Sequence, residues 1–235
     1  MRLQRASDST QEDIDTLASG VFDTATAASF CASTICTVVK VYDQSGGNAC
    51  GGSACDLTVA YPAAPTLAFT CNGSQPCMTF NGSTQGLASA GTITSAPQPI
   101  SMSVVADPTA GFGSEFSCAS GYQEGVYVSD SHGGGSQSQI YAGYTFYAAA
   151  PALGAWFAGQ FVANSSASTI SINSGTYTGT GDAGTEDCTG AAVVMSGGSG
   201  NYFTGNLEEF GIWPTGLSST QQSNMDSNQR TYWGF

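Results

Sequence analysis

Short stretches in which apolar and polar residues alternate recur along most of this chain. The pattern begins clearly at Ile100, where ISMSVVA follows Pro99, and alternation of this kind predicts strands buried on one face. Gly, Ser, Asn and Asp separate the stretches and indicate turns. The predicted strands are 37–42, 66–70, 78–81, 100–106, 125–129, 139–149, 155–163, 168–173, 191–195 and 205–213.

Two segments have the character of helices instead. Residues 23–32 (DTATAASFCA) predict a short helix in which Asp23 or Thr24 accepts hydrogen bonds from the first free N–H groups. Residues 217–232 predict a closing helix with Ser218 or Ser219 as its cap.

Many short strands with little helix are typical of a β-sandwich. No internal repeat and no linker divides the sequence. We therefore expect an all-β fold, a two-sheet jelly-roll sandwich with one short N-terminal helix and a C-terminal helix, in a single domain over residues 1–235.

Charge narrows the range of partners. The chain carries a net charge of −13 with only four Lys and Arg residues, and only 9% of its residues are charged. Nucleic acid and anionic membranes both require clustered cations, so neither is an expected partner. Glycans or extracellular proteins fit this polar, weakly charged surface better.

Eight cysteines favour a disulfide framework. The first six form three closely spaced pairs, which leaves Cys118 and Cys188 to pair with each other. The alternative is a zinc site, but the spacing is wide for zinc and His132 is the only histidine, distant in sequence from the three pairs. The predicted disulfides are Cys31–Cys36, Cys50–Cys55, Cys71–Cys77 and Cys118–Cys188.

Disulfides imply an oxidising compartment, so we expect a secreted, extracellular protein. Three N-glycosylation triplets agree with this expectation, at Asn72, Asn81 and Asn164. No signal peptide or membrane-spanning run is visible after Met1, which we interpret as the start of a mature or partial chain.

Several motifs resemble one known family. The segments RLQRASD (2–8), EDI (12–14), FCASTIC (30–36) and VYDQSG (41–46) are similar to the catalytic domain of fungal α-L-arabinofuranosidase B, glycoside hydrolase family 54. The end of the chain, FTGNLEEFGIW (203–213) and the helix after it, resembles laminin-G-type domains.

The resemblance implies a concanavalin-like jelly roll with a concave face that holds sugar. It also implies that the chain lacks the strand that precedes the RASD motif in the family. A partner could supply that strand, and strand addition at an open edge would then drive self-assembly.

The resemblance also implies positions for two catalytic carboxylates, which a retaining glycosidase needs on either side of the scissile bond. Ser199 stands where the family has its acid/base Asp, and residues 140–158, where the family has its nucleophilic Glu, contain no Asp or Glu. The family's adjacent cysteine pair is reduced to Cys118. These losses predict that family-type catalysis is absent.

Other carboxylates offer weak substitutes. Glu208 and Glu209 are neighbours on a predicted strand, so we expect their side chains to point to opposite faces rather than to form a pair. Glu124 and His132 lie in a Gly-rich segment and are the remaining candidates for a polar catalytic site, although a loop role is the simpler interpretation of both.

Aromatic residues are better candidates for sugar binding, because sugar faces stack on aromatic rings. The candidates are Tyr122, Tyr127, Tyr144, Tyr147, Trp156 and Tyr202. We expect about half of such aromatic residues to be structural, and Tyr141, Phe146 and Trp156 fit the core of a sandwich equally well. No cofactor is predicted. A structural calcium ion would use Asp107, Asp130 and Asp182, which are scattered in the sequence.

Three hypotheses follow. The main one is a secreted non-catalytic module that binds carbohydrate or serves a structural or adhesive role. The first alternative is an active α-L-arabinofuranosidase-like glycoside hydrolase with a rearranged acid pair. The second is a structural subunit of an extracellular filament or virion surface.

Overall fold

The computed structural model describes residues 1–46, 49–52, 54–73, 75–110, 113–118, 125–128, 137–196 and 202–235. Helix α1 spans Thr24–Phe30 and helix α2 spans Ser219–Trp233. The strands are β1 (Arg2–Arg5), β2 (Gln11–Asp13), β3 (Cys36–Val41), β4 (Leu57–Val59), β5 (Thr66–Asn72), β6 (Gln75–Asn81), β7 (Leu87–Thr92), β8 (Ile100–Pro108), β9 (Ser114–Cys118), β10 (Gly125–Val128), β11 (Gln137–Tyr141), β12 (Thr145–Ala149), β13 (Phe157–Ala163), β14 (Ser168–Ile172), β15 (Tyr177–Gly181), β16 (Ala192–Met195) and β17 (Thr204–Trp213).

The strands form the two layers of a jelly-roll sandwich, as the sequence predicts. Antiparallel pairings run through the larger sheet in the order β2-β1-β3-β5-β6-β17-β8-β13-β14-β15. The smaller sheet runs β4-β7-β16-β9-β10-β11-β12. Strand β3 also pairs with β4, so it joins the two sheets along one side.

Alternate residues of both sheets fill the space between the layers. Phe80, Phe157, Phe161 and Phe203 are among the largest fully buried side chains, and they interlock with aliphatic residues from each sheet. At about 25 cal/mol per Å² of apolar surface removed from water, this core is the main source of stability.

Helix α2 covers the outer face of the larger sheet. Strands β8 and β13 are therefore buried on both faces, which explains why Ser103 and Gln160 are buried although they point away from the core. Gln229 of α2 donates to Ser103 Oγ at 2.8 Å and accepts from Gln160 Nε2 at 2.7 Å. These bonds satisfy polar groups that would otherwise destabilise the interface.

The helix caps form as the sequence predicts. Asp23 accepts from the Thr26 N–H at 3.0 Å, and Ser218 forms a capping box with Gln221.

All four predicted disulfides are confirmed. Cys31–Cys36, Cys50–Cys55, Cys71–Cys77 and Cys118–Cys188 have Cα–Cα distances of 5.8, 5.1, 5.9 and 5.4 Å. In the part of the chain that the structure describes, neither helix is long and apolar enough to span a membrane.

One predicted strand is wrong. Residues 139–149 form a hairpin, β11 and β12, because Gly143 adopts a φ of +98° that turns the chain. Six strands were not predicted at all, since they are short or poor in β-branched residues: β1, β2, β4, β7, β9 and β15.

Candidate active site

Several sequence candidates lie outside the described residues: Tyr122, Glu124, His132 and Ser199, together with Asp130 of the calcium prediction. Nothing in the structure tests them, and they stay predictions.

The predicted sugar-binding aromatic residues occupy separate elements. Tyr144 and Tyr147 belong to the β11–β12 hairpin and are 67% and 41% exposed. The backbone of Tyr127 in β10 pairs with that of Gln139, which in turn pairs with Tyr147.

Trp156 and Tyr202 are half-buried and have other ring partners. Trp156 lies 6.5 Å from the ring of Phe235, and Tyr202 makes an edge contact with Tyr61 at 5.6 Å. No ring contact joins the described residues Tyr144, Tyr147, Trp156 and Tyr202 to one another.

The glycosylation triplets differ in accessibility. Asn81 and Asn164 are exposed. Asn72 is half-buried, and its amide donates to the Trp233 carbonyl at 2.7 Å. A glycan on Asn72 would remove one donor from this amide, so we expect Asn81 and Asn164 to be the better acceptors.

The calcium prediction remains untested. Asp107 accepts from Asn206 Nδ2 at 3.1 Å, whereas Asp182 accepts from the Gly184 N–H at 2.9 Å. Among the described residues, no three His, Cys, Asp or Glu side chains come together as metal ligands.

A cleft of about 730 Å³ lies between the two sheets, and we call it the inter-sheet cleft. Leu57, Met78, Ile93, Val193 and Ile212 form its apolar interior. Its volume falls within the range of sites that bind small molecules.

Polar and aromatic residues also line the inter-sheet cleft. Tyr42, Asp43 and Gln44 follow strand β3, and Trp213 ends strand β17. The Tyr42 ring is fixed from two sides, since its hydroxyl donates to Asp13 and Lys40 Nζ lies 4.4 Å from its centroid. Flat aromatic surfaces beside polar groups suit the binding of a sugar ring.

Glu208 and Glu209 both contribute to the wall of the cleft. The expectation that the two side chains point to opposite faces of the sheet does not hold, because the pairing of β17 with β8 shifts register between Leu207 and Glu209. Burial, followed by the charges of Glu209 and Glu208, raises the pKa of Tyr232, so both carboxylates lie near this end of α2.

The two glutamates differ in their hydrogen bonds. Glu209 accepts from Gln229 Nε2 and from Trp233 Nε1, each at 2.9 Å. Both carboxylate oxygens of Glu208 are buried and make no hydrogen bond. The nearby N–H of Asn72 slightly favours the charged form of Glu208 without making a bond of normal geometry.

Burial raises the pKa of Glu208 to about 8, with further contributions from the charges of Asp107 and Glu209. Glu208 is therefore protonated at neutral pH. A buried carboxylic acid without partners is uncommon in folded proteins and is one of the marks of a functional site.

Asp43 has the opposite environment. Burial alone would raise its pKa, but hydrogen bonds from the N–H groups of Cys55 (2.9 Å) and Ser45 (2.8 Å) outweigh burial and lower the pKa. Asp43 is therefore ionised at neutral pH.

Glu208 and Asp43 both line the inter-sheet cleft and differ in protonation, and the carboxyl group of Glu208 lies near the end of α2 on the outer face of the larger sheet. Environments that separate two carboxyl pKa values in this way distinguish a general acid from a base or nucleophile. In the sequence, only the place of Asp43 in the family-like VYDQSG motif could have marked it. Nothing local could have marked Glu208, because its environment depends on Asp107, which is distant in sequence.

Comparison with known proteins identifies the family of the chain. Residues 1–231 match the family model described as the catalytic domain of α-L-arabinofuranosidase B. No curated protein sequence matches the chain.

Solved structures with a similar fold include two arabinofuranosidases. One is complexed with arabinofuranosyl-α-1,2-xylobiose and has 19% identity and a TM-score of 0.75. The alignment covers 97% of the present chain and 57% of that protein. The other, a family 54 α-L-arabinofuranosidase soaked with a cyclic sulfate inhibitor, has 19% identity and a TM-score of 0.74 over 97% and 58% of the two chains.

A third similar structure is domain 4 of AbnA, a family 43 extracellular arabinanase from Geobacillus stearothermophilus, in complex with arabinotriose. It has 16% identity and a TM-score of 0.52 over 80% of this chain and 87% of that one. The chain spans 57% and 58% of the length of the two arabinofuranosidases, somewhat more than half.

Proposed function

The chain belongs to the family of α-L-arabinofuranosidase B catalytic domains, and on that premise we propose that it is a glycoside hydrolase that removes α-L-arabinofuranosyl groups from arabinose-containing glycans. The observation that carries the proposal is the family match over residues 1–231. The four disulfides support an extracellular place of action.

The main prediction from the sequence, a non-catalytic module, is wrong, because the chain belongs to a family of catalytic domains. The matched model is that of a catalytic domain, and it favours the hydrolase alternative. The absence of the family's carboxylates at Ser199 and in residues 140–158 means that a different acid pair must serve this chain.

We propose that Glu208 and Asp43, which both line the inter-sheet cleft, form that pair once the end of α2 moves and the Glu208 carboxyl group turns towards the cleft. Glu208, protonated at neutral pH, donates its proton to the leaving glycosidic oxygen. Asp43, ionised by its two N–H donors, attacks the anomeric carbon and forms an arabinosyl ester. Water then cleaves the ester and returns a proton to Glu208, so that arabinose leaves and both carboxyl groups are restored.

Access to Glu208 requires a local movement. Both of its carboxylate oxygens are shielded from solvent, and Tyr232 at the end of α2 is the neighbouring side chain that is partly exposed. We expect substrate in the inter-sheet cleft to displace this helix end from the carboxyl group.

The decisive experiment combines turnover with covalent labelling. We expect the protein to hydrolyse 4-nitrophenyl α-L-arabinofuranoside, and Glu208→Gln to lower kcat about 100-fold or more, in the range typical of a lost general acid. An arabinofuranose-configured cyclic sulfate should label one carboxylate, and peptide mapping by mass spectrometry should place the label on Asp43. Glu12→Gln, at an exposed position of β2, is the matched control and should retain full activity.

The outcomes separate function from residue assignment. Turnover with the label on Glu124 would keep the hydrolase and move its site outside the described residues. Absence of both turnover and label would contradict the proposed function.

A further inference from the structure

A second cavity lies on the outer side of the larger sheet. It measures about 320 Å³ and separates the β14–β15 hairpin from helix α2. We call it the α2 groove. Its polar lining residues are Thr169, Ser171, Thr178, Thr180, Ser219, Gln222, Ser223 and Asp226, with Ser174 and Gly175 at the hairpin turn, and Ile170 and Gly179 complete the lining.

The strand wall of the groove presents hydroxyl groups in cross-strand pairs. Thr169 pairs with Thr180, and Ser171 with Thr178. Ile170 is buried in the core, so the residues on either side of it face outward. The wall is therefore a small grid of four hydroxyl groups on adjacent strands.

The helix wall is equally polar. Ser219, Gln222, Ser223 and Asp226 line the groove at positions i, i+3, i+4 and i+7 of α2. This spacing places all four on one face of a helix. Two polar surfaces thus face each other across a space that neither fills.

Most of these hydroxyl groups have no hydrogen bond within the described residues. This is true of Thr169, Ser171, Thr178, Thr180, Ser219 and Ser223, and Thr169 Oγ1 is in addition buried. Asp226 at the base differs, because it accepts from the Ser174 N–H at 3.1 Å and from Ser174 Oγ at 2.6 Å. The floor of the groove is therefore fixed, while its walls keep free donors and acceptors.

We propose that the α2 groove is a second carbohydrate site, which binds a neutral oligosaccharide segment outside the cleft where hydrolysis takes place. Hydroxyl and amide side chains at fixed spacing match the alternating hydroxyl groups of a sugar, and each can donate as well as accept. The choice of a pentose glycan rests on the proposed function, whereas the groove itself does not.

Charge restricts the ligand to neutral sugars. Asp226 is the only ionisable group among the described residues that line the groove, and the chain carries a net charge of −13. Among the described lining residues there is no Lys or Arg. Arg230 lies beside the groove, but its guanidinium already donates to Ser174 Oγ at 2.9 Å, so a uronic acid chain is disfavoured. The site therefore suits arabinan or xylan segments better than pectic acid.

The test uses the full chain and two probes, arabinotriose and trigalacturonic acid. We expect arabinotriose to shift the backbone amide NMR signals of Thr169, Thr180 and Gln222, and trigalacturonic acid to leave them unchanged. The double variant Thr169→Val/Thr180→Val should weaken arabinotriose binding about tenfold, since each lost hydrogen bond is worth a factor of about 2–12. Val favours strands, so the fold should persist.

Thr66→Val on β5 is the matched control, because Thr66 is a strand residue that lines neither cavity. It should bind as the wild type does. Gln222→Ala tests the groove from the helix wall and should weaken binding as well.

Equal affinity in the double variant and the wild type, or absence of shifts at the groove with millimolar arabinotriose, would overturn the proposal. Turnover of 4-nitrophenyl α-L-arabinofuranoside by the wild type reports separately on the proposed function. Groove binding without turnover would support the second site while it contradicts the hydrolase.

Discussion

Glu208, which lines the inter-sheet cleft, and Asp226, which lines the α2 groove, each carry a shielded carboxyl group, and the hydrogen bonding of the two groups is opposite. Asp226 in the groove accepts two hydrogen bonds from Ser174, whose φ of +56° they help to maintain. Glu208 in the cleft accepts none, and it remains protonated. A buried carboxylate that accepts hydrogen bonds stabilises the local structure, whereas a buried carboxyl group without hydrogen-bond donors keeps its proton at neutral pH.

The largest expected effect tests the structural role of Asp226. Asp226→Ala leaves the N–H and hydroxyl of Ser174 without their acceptor, and we expect it to lower the free energy of unfolding by about 2–3 kcal/mol. Chemical denaturation at pH 7 measures this loss. Asn224→Ala, at an exposed position of the same helix, should change stability by less than about 0.5 kcal/mol. Equal losses of unfolding free energy in the two variants would contradict the structural role of Asp226.

The next effect tests the proton on Glu208. Its pKa is about 8 in the folded state and about 4.5 in the unfolded state. The folded state therefore binds the extra proton, so the stabilising contribution is complete below about pH 4.5 and is lost as the pH rises through 8.

Glu208→Gln should remove this pH dependence. At pH 8 we expect the variant to be more stable than the wild type by about 1–2 kcal/mol, a value reduced to allow for solvent screening. Glu209→Gln should have the opposite sign, because Glu209 accepts from Gln229 and Trp233. Denaturation curves between pH 4.5 and 8.5 measure both, and a wild-type stability that does not fall over this range would contradict the protonated state.

The smallest effect concerns the start of α2, next to the groove. Ser218→Ala removes the capping box with Gln221 and should cost about 1 kcal/mol. Thr220→Ala, at an exposed position within the first turn of the helix, is the control and should be neutral or slightly stabilising. The shift in Tm of each variant relative to the wild type measures this. If the Ser218 variant is as stable as the wild type, packing alone holds this helix end.

Local chemistry explains what could be predicted from the sequence. Cysteine spacing gave all four disulfides, and the oxygen-bearing caps at Asp23 and Ser218 gave the helix starts. Gly143 was missed as a turn because the residues on both sides of it favour strands. Short strands such as Leu57–Val59 form through pairing with distant neighbours, which propensity does not report.

The candidate site depended on features that the sequence does not show. A register shift in β17 breaks the alternation that had separated Glu208 from Glu209. The pKa of Glu208 depends on Asp107 and on burial, and the ionised state of Asp43 depends on N–H groups from Ser45 and Cys55. Such three-dimensional environments arise only when the sheets come together.

Strand β3 has a consequence for how the protein loses its structure. One edge of this strand pairs with β5 of the larger sheet at Thr37 and with β4 of the smaller sheet at Lys40. The two layers are thus one hydrogen-bonded ribbon folded on itself, and neither can detach without breaking the bonds of the other. We expect them to unfold in a single cooperative transition, with the same midpoint for probes placed in either layer.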